Sequence, residues 1–405
     1  MFAPETFLGN GNAVHRKAHL RAKGSMLMQK TRVTIVVAGI ATVLALAGCS
    51  SSKKSTSTTS TPASSPTSSS SAAGGAFDGK GAKVGIILPD TQSSARWQNA
   101  DLPALQADCT KDNLSCDIQN AQGDKAKMKT IAEGMENAGV KVLMIVNLDA
   151  ASGAAIEQEA TSKGITTVDY DRLTPGGGAA LYVSFDNVAV GTNQGKTLVT
   201  CPQVKGKSAV TYVDVNGSPT DNNATLFKQG YDGVLAKTTG WTKKADQAVP
   251  NWDNQQAGVI FGSMLRKNPS MNAVMVANDG MANSVIGVLK NQGLNGKVAV
   301  SGQDATAQGL QHILDGDQCF SIYKASALEA GPAIDAISTI VTGGVPKTNG
   351  STEDPSTKKQ VPSILAVPVP ITIKNVAVPI NDNYTPKSQV CTGAYVAKCT
   401  AAGVK

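Results

Sequence analysis

The chain has 405 residues, which at about 150 residues per domain suggests two domains or two lobes and excludes one small disulfide-stapled module. Its hydrophobic fraction of 41% and charged fraction of 17% allow a sizeable core and exclude wholesale disorder. The formal charge of +7 lies in the first 80 residues, because residues 1–48 carry +5 and residues 49–80 carry +2. Residues 81–405 are formally neutral, so the charge does not support a nucleic-acid partner.

The N-terminal segment, residues 1–48, has the pattern of an export signal. Lys30 and Arg32 precede an uncharged apolar run from Val33 to Ala45. This run of about 13 residues is shorter than the ~20 that span a bilayer, which favours a cleaved signal over a retained transmembrane helix. Residues 1–25 are predicted to be an upstream extension, with the true start at position 26 or 28.

The run ends in Leu-Ala-Gly-Cys, which resembles the bacterial lipobox, whose cysteine becomes the lipid-carrying first residue of the mature protein. This predicts lipidation of Cys49; the alternative is a plain export signal with a chance cysteine. The following residues, up to about Ala76, are mostly Ser, Thr, Ala and Pro and have too little apolar surface to fold. Residues 49–80 are therefore predicted to be a solvated tether between the membrane and a folded body.

The body alternates predicted strands with predicted helices. Gly139 and Gly164 follow two of the helical segments, as expected of helix C-terminal glycines. A spacing of about 25 to 30 residues between strands favours βαβ units and parallel sheets. Two doubly wound α/β lobes fit seven or more strands; a barrel of eight βα units is the competing topology. The predicted strands are 83–88, 140–147, 165–170, 208–213, 272–277, 297–301 and 319–323, and the predicted helices include 97–110, 125–138, 151–163 and 305–315.

Histidine usage limits the catalytic chemistry of the body. His15 and His19 fall in the leader, which leaves His312 as the one histidine after Cys49. It lies in a predicted helix and is expected on the surface, away from any nucleophile system. A multi-histidine zinc site is excluded, and the body contains no Walker loop or CxxC motif. The sequence therefore predicts no catalytic residues, no metal and no cofactor.

Polar residues follow the predicted strands at the end where open α/β sheets bind ligands. Carboxylates accept hydrogen bonds from sugar hydroxyls, Arg, Lys and Asn donate to sugar oxygens, and aromatic rings cover the sugar's C–H faces. Singly, an Asp or Asn after a strand is more often a helix N-cap, and a lone Trp is more often core. The joint recurrence of these residue types favours a sugar site. The residues are Arg96, Trp97, Asp171, Arg172, Asp221, Asn222, Asn223, Asn278, Asp279, Gln303, Asp304 and Lys324.

Seven segments of the body, in order, resemble the xylose-binding and multiple-monosaccharide-binding group of the type I periplasmic binding proteins, the sugar-binding components of bacterial ABC importers. They are ARWQ (95–98), DYDRL (169–173), SFDNVAVG (184–191), GSPTDNNATLF (217–227), AND (277–279), SGQDA (301–305) and IYK (322–324). The resemblance covers residues 83 to about 374. It implies the two-lobed fold of that group and a monosaccharide, D-xylose or a similar aldopyranose, between the lobes.

Transferred position by position, the resemblance implies that seven polar residues bind the sugar, that two tryptophans flank its ring and that Asp221 adds a contact. Gln92 stands where broad-specificity relatives have a lysine, and Ser93 and Ser94 replace a longer charged loop of the xylose binders, so the precise sugar stays open. The implied set is Arg96, Trp97, Asp171, Arg172, Asp221, Asn223, Trp252, Asn278, Asp304 and Lys324.

The resemblance also implies three hinge crossings, expected near 184–187, 323–325 and 369–373. The N-lobe then comprises residues 81–185 and 325–370, and the C-lobe comprises residues 186–324 and 371–405. Hinge bending closes the lobes over the sugar and presents the closed form to the permease.

Without Cys49 the body has six cysteines, an even number in an exported, oxidising setting. Cys109 with Cys116 and Cys391 with Cys399 are near neighbours in sequence, and Cys201 with Cys319 is the remaining pair. Six cysteines allow 15 pairings, so this connectivity is a hypothesis.

The predicted function is that of a lipid-anchored, monomeric solute-binding protein of an ABC importer on the extracytoplasmic face of the cell membrane. Its partners are the monosaccharide, the permease and, through the lipid, the membrane. A sensor that presents its closed form to a receptor is the alternative, and a sugar-active enzyme is less favoured.

Overall fold

Strands and helices alternate along residues 77–405, the part of the chain that the computed structural model describes. The predicted leader, Cys49 and the tether up to residue 76 lie outside these residues. In the range from 77 to 405, none of the helices has the length and apolar character needed to cross a bilayer.

Within the described residues there are thirteen strands and twelve helices. The strands are β1 (Lys83–Leu88), β2 (Ser115–Asn120), β3 (Val142–Ile145), β4 (Thr166–Tyr170), β5 (Leu181–Phe185), β6 (Val210–Asn216), β7 (Trp241–Ala248), β8 (Ala273–Val276), β9 (Ala299–Val300), β10 (Phe320–Tyr323), β11 (Gly350–Glu353), β12 (Gln360–Ala366) and β13 (Val369–Thr372). The helices are α1 (Leu102–Lys111), α2 (Lys125–Asn137), α3 (Ala150–Ser162), α4 (Asn187–Leu198), α5 (Asn222–Leu235), α6 (Asn254–Lys267), α7 (Asp279–Asn291), α8 (Ala307–Asp315), α9 (Ala327–Val341), α10 (Val378–Asn381), α11 (Lys387–Val390) and α12 (Tyr395–Ala401).

The first lobe is built on a seven-stranded sheet in the order β11-β12-β5-β4-β3-β1-β2. All neighbours are parallel except β11 and β12. The side chains of β1 alternate between the two faces, because Ile86 packs with the core under α1 and α9 while Ile87 packs with that under α2 and α3. Cover on both faces explains why the central strands are continuous apolar runs.

The second lobe is built on a four-stranded parallel sheet in the order β7-β6-β8-β9. Its core is one large apolar cluster that includes Phe227 of α5, Phe261 of α6 and Ile286 of α7. The predicted fold, two doubly wound α/β lobes, is confirmed. The alternative topology of one eight-unit barrel is wrong, because the strands form separate sheets.

Three links join the two lobes. The first runs from β5 directly into α4, and the second runs from β10 through Lys324 to α9. The third lies at Val367 and Pro368, two residues before its predicted position, because Val369 already pairs with Tyr323 in the antiparallel β10–β13 ribbon. The assignment of residues 81–185 with 325–370 and of 186–324 with 371–405 to the two lobes stays a prediction.

The six cysteines of the body form the three disulfides named above. Cys109–Cys116 joins α1 to β2, Cys201–Cys319 joins the end of α4 to the start of β10, and Cys391–Cys399 closes the C-terminal helices.

Candidate functional site

The ten side chains chosen from the sequence line a single cavity between the lobes, at the carboxyl ends of the parallel strands. The free space is only about 30 Å³, enough for one or two water molecules, because side chains of the two lobes contact each other directly. Ser93, Ser94, Phe227 and Gln303 line the cavity in addition. Asn222 and Asp279, which also follow strands, do not.

Arg96 lies in the irregular turn after β1 and is 3% exposed. Its guanidinium contacts three carboxylates, Asp101 and Glu329 at 2.6 Å and Asp171 at 2.9 Å. It also lies 4.7 Å from the centre of the Trp97 ring, so that tryptophan supports the arginine. The arrangement holds Arg96 rigidly at the cavity wall.

Asp101 and Glu329 are partners of Arg96 that the sequence did not reveal. Tyr170 donates a further buried hydrogen bond to Asp101, at 2.7 Å, beside the two from Arg96. Burial raises the pKa of Glu329 to about 8, and Arg96 opposes this shift. Glu329 follows the second inter-lobe link on α9, and its contact with Arg96 spans 233 residues of sequence. No local pattern marks such a pairing.

Asp171 follows β4 with a left-handed backbone, φ 59°, which is unusual for a non-glycine residue. Its main-chain carbonyl accepts hydrogen bonds from Tyr182, Ser184 and Asn223, and these bonds fix the turn. Burial favours its neutral form, but Lys324, Arg96 and Arg172 outweigh that effect and lower the pKa of Asp171. The residue is therefore a fixed, ionised acceptor in the cavity.

Arg172, Asp221 and Trp252 form a bonded group across the gap between the lobes. Arg172 Nε of the first lobe lies 3.0 Å from Asp221 Oδ2 of the second lobe, and Trp252 Nε1 donates to the same oxygen at 3.0 Å. Arg172 also donates to the Asn147 carbonyl at 3.0 Å. Asn251 and Trp252 both have a left-handed backbone, and Gly217 lies against the indole ring, with which a Cβ at this position would collide.

Two residues serve as helix caps and also line the cavity, so both interpretations of a polar residue after a strand hold at once. Asp221 caps α5 through the Asn223 amide, and Asn278 caps α7 through the Met281 amide. The Asn278 side-chain amide also donates to the Ser93 carbonyl of the first lobe, at 2.9 Å. Capping fixes the side chain that faces the cavity.

Asp304 is 4% exposed and links the lobes from the second lobe's side. Its Oδ2 accepts a hydrogen bond from the Ser94 hydroxyl at 2.7 Å, whereas its Oδ1 is buried without a partner among the described residues. Lys324, on the second link, lies 2.9 Å from Asp171 Oδ2 and 5.8 Å from the ring centres of Phe185 and Phe227.

The cavity wall thus carries three cations, Arg96, Arg172 and Lys324, and three carboxylates, Asp171, Asp221 and Asp304. Each cation is paired with a carboxylate of the wall, and the aromatic side chains of Trp97, Phe227 and Trp252 line the same cavity. Such a wall suits an uncharged ligand with many hydroxyl groups.

His312 lies outside this cavity, but its expected surface position is wrong. The residue is 7% exposed because α8 packs on α7, where the His312 ring pairs with Asn283 at 2.9 Å. The predicted helix 305–315 is present as α8, and only the exposure expected of His312 is wrong.

Comparison with known proteins finds one matching family model and similar relatives over most of the chain. The family model described as the periplasmic binding protein domain matches residues 84–344. The D-xylose-binding periplasmic protein of Escherichia coli K12 is 32% identical over 303 residues, covering 73% of this chain and 88% of the relative. The multiple sugar-binding periplasmic protein of Azospirillum brasilense is 30% identical, covering 72% and 86%.

A solved structure of an ABC transporter solute-binding protein from Clostridium phytofermentans, with bound β-D-glucose, has a TM-score of 0.70 and 25% identity to this chain. The alignment covers 76% of this chain and 99% of that one.

Proposed function

The chain belongs to the periplasmic binding protein family, and from this premise we propose that it binds a monosaccharide between its lobes and delivers it to the permease of an ABC importer. D-Xylose or a similar aldopyranose is the proposed ligand. The proposal covers a solute-binding role without catalysis and without a cofactor or metal.

The observation that carries the proposal is the convergence of ten polar and aromatic side chains from distant segments on one cavity between the lobes. Each residue type matches a part of a sugar. Asp171, Asp221 and Asp304 accept from hydroxyl groups, and Trp97 and Trp252 border the C–H faces. The donors to hydroxyl oxygens are Arg96, Arg172, Asn223, Asn278 and Lys324.

Direct contacts between the lobes suggest how binding drives closure. Ser94–Asp304, Ser93–Asn278 and Arg172–Asp221 each join the first lobe to the second. A sugar between the lobes takes the place of the two serine contacts and adds bonds from its own hydroxyls to both walls. Because these bonds require both lobes at once, the ligand favours the closed arrangement and exposes one surface to the permease.

Beyond the binding site, we propose a lipid anchor at Cys49 and a tether over residues 49–80 that holds a monomeric body at the extracytoplasmic face of the membrane. A Cys49→Ala variant is expected in the soluble fraction, while a Ser51→Ala control stays with the membrane. Membrane retention of the Cys49→Ala variant contradicts the anchor.

The sugar proposal is tested by thermal unfolding of the purified full chain with xylose, glucose, galactose, arabinose and ribose, and with xylitol as an open-chain control. A ligand at 100 times its dissociation constant stabilises the folded state by about 2.7 kcal/mol. At least one aldose is expected to raise the Tm. Absence of a shift with all five aldoses contradicts the proposal.

Transport is tested separately by uptake of the labelled sugar in cells that lack the gene. Complementation by the full chain supports delivery to a permease. Binding of the sugar without any effect on uptake contradicts that role and favours the receptor-presenting alternative.

A further inference from the structure

Asp279 is a buried carboxylate next to the sugar cavity that takes no part in lining it. The residue begins α7 directly after Asn278 and is 1% exposed. Its side chain turns away from the cavity toward the loop 302–306 and the strand β10. Its buried carboxylate therefore acts on protein groups alone.

Four donors converge on the Asp279 carboxylate. The Thr306 amide donates at 2.9 Å and the Thr306 hydroxyl at 3.2 Å. The Gln318 side-chain amide donates at 2.8 Å, and the Ser321 hydroxyl lies at 2.9 Å. A carboxylate that accepts four hydrogen bonds holds its neighbours firmly.

The loop that these donors hold has an unfavourable backbone. Asp304 has φ 91° and Ala305 has φ 46°, both in the region that favours glycine. Non-glycine residues in such conformations cost about 1–3 kcal/mol each and persist only where their surroundings enforce them. This backbone presents the Asp304 carboxylate to Ser94 and to the cavity.

Ser321 connects the carboxylate to the strained residues. Its hydroxyl donates to Asp279 and accepts the Ala305 amide at 2.8 Å. Thr306, directly after Ala305, is bound to Asp279 through both its amide and its hydroxyl. The loop is thus attached to one carboxylate on the C-terminal side of Asp304.

Two glycines make room for this arrangement. A Cβ at Gly302 or at Gly309 would collide with the carboxylate oxygens of Asp279. Both the loop and the first turn of α8 therefore pack directly around the carboxylate, which excludes larger side chains at these two positions.

We infer that Asp279 is a positioning residue, which sets the sugar affinity by fixing the loop that aims Asp304 into the cavity. The inference rests on the proposed sugar-binding function. Asp279→Asn places an amide donor against existing donors and frees the loop to relax. Ser321→Ala keeps the carboxylate and removes only its connection to Ala305.

The test is calorimetry of the full chain with the aldose that gives the largest thermal shift, at pH 8. This pH keeps Asp279 ionised, since burial raises its pKa to about 7. Asp279→Asn is expected to weaken the affinity at least tenfold and Ser321→Ala several-fold. Asp112→Asn is the matched control, because Asp112 is also buried and bonded to a hydroxyl, that of Ser338, but lies away from the cavity. It is expected to leave the affinity unchanged.

The same variants in an Asp304→Ala background separate positioning from general stability. If Asp279 acts through Asp304, Asp279→Asn and Ser321→Ala change the affinity of that background less than twofold. The inference is overturned if Asp279→Asn weakens the sugar affinity by the same factor in the Asp304→Ala background as in the wild type. It is also overturned if Asp279→Asn and Ser321→Ala, each alone, leave the sugar affinity unchanged.

Crystal structures of the two variants give a readout that needs no sugar. In the crystal structure of Asp279→Asn, the backbone of Asp304 is expected to leave its left-handed conformation. If Asp279→Asn does not fold, the same change is expected in Ser321→Ala. Retention of φ near 91° and 46° at Asp304 and Ala305 overturns the inference. If the wild type binds no aldose, the proposed function fails, and this structural comparison still decides the role of Asp279.

Discussion

Replacement of Arg172 by alanine tests the site most directly. The wild-type side chain is 8% exposed and is bonded to Asp221 across the lobes and to the Asn147 carbonyl within its own lobe. Alanine leaves the buried Asp221 carboxylate without its cation, although Trp252 still donates to it. Truncating one partner of a buried, hydrogen-bonded charge pair at an interface costs about 2–5 kcal/mol. Each 1.4 kcal/mol is tenfold, so the sugar affinity should fall by about 30-fold to several thousand-fold.

Titration calorimetry with the best aldose measures this change. Arg266→Ala is the matched control, because Arg266 is exposed on α6, and it should not change the affinity. An added Asp221→Asn substitution should restore part of the loss, since it removes the unpaired charge. Unchanged affinity of Arg172→Ala, with the variant folded, would refute the assignment of the site.

Three further changes have defined outcomes. Glu329→Gln removes a group that burial shifts to a pKa of about 8, so the folded wild type holds one proton that the unfolded chain loses above pH 4.5. The unfolding free energy of the wild type, relative to the variant, should therefore fall by about 1.4 kcal/mol per pH unit from pH 4.5 to 8 in urea titrations. Replacing Cys201 and Cys319 together by serine should lower the unfolding free energy by about 5 kcal/mol, because the disulfide closes a loop with a sequence separation of 118. Gly217→Ala should weaken the sugar affinity about tenfold or more in calorimetry, because its Cβ collides with the Trp252 ring.

Each of these changes has a control elsewhere in the chain. Glu353→Gln, at an exposed carboxylate, should show no such pH trend relative to the wild type. Loss of Cys391–Cys399, with a separation of 8, should cost about 2.5 kcal/mol, roughly half of the longer loop. Gly262→Ala in α6, where the nearest atom is a flexible arginine tip at 3.7 Å, should leave sugar binding intact. The same pH trend in Glu353→Gln as in Glu329→Gln would contradict the first prediction. Equal losses of unfolding free energy for the two disulfides would contradict the second, and equal losses of sugar affinity for Gly217→Ala and Gly262→Ala would contradict the third.

The strands that the sequence revealed are those buried on both faces. The segment VLMI of β3 is continuous and apolar, and all four of its residues are buried. Edge strands give no such signal: β2 and β7 alternate exposed and half-buried residues and read as polar segments. The helix ending at Gly139 was recognisable because a left-handed glycine, φ 80°, stops it. Burial on both faces favours recognition of a strand but does not ensure it, because β5 (Leu181–Phe185) is buried throughout and is not among the predicted strands.

The sequence by itself determined the alternation of strands and helices and the residue types that lie at strand ends. These features are local, since each depends on apolar runs, glycines and polar residues within a few positions. The tertiary structure alone decided which partners those residues have. Glu329 reaches Arg96 across 233 residues, and Asp279 turns from the cavity to hold the Asp304 loop. A buried charge needs a partner in space, and the fold supplies it from segments that no sequence window contains.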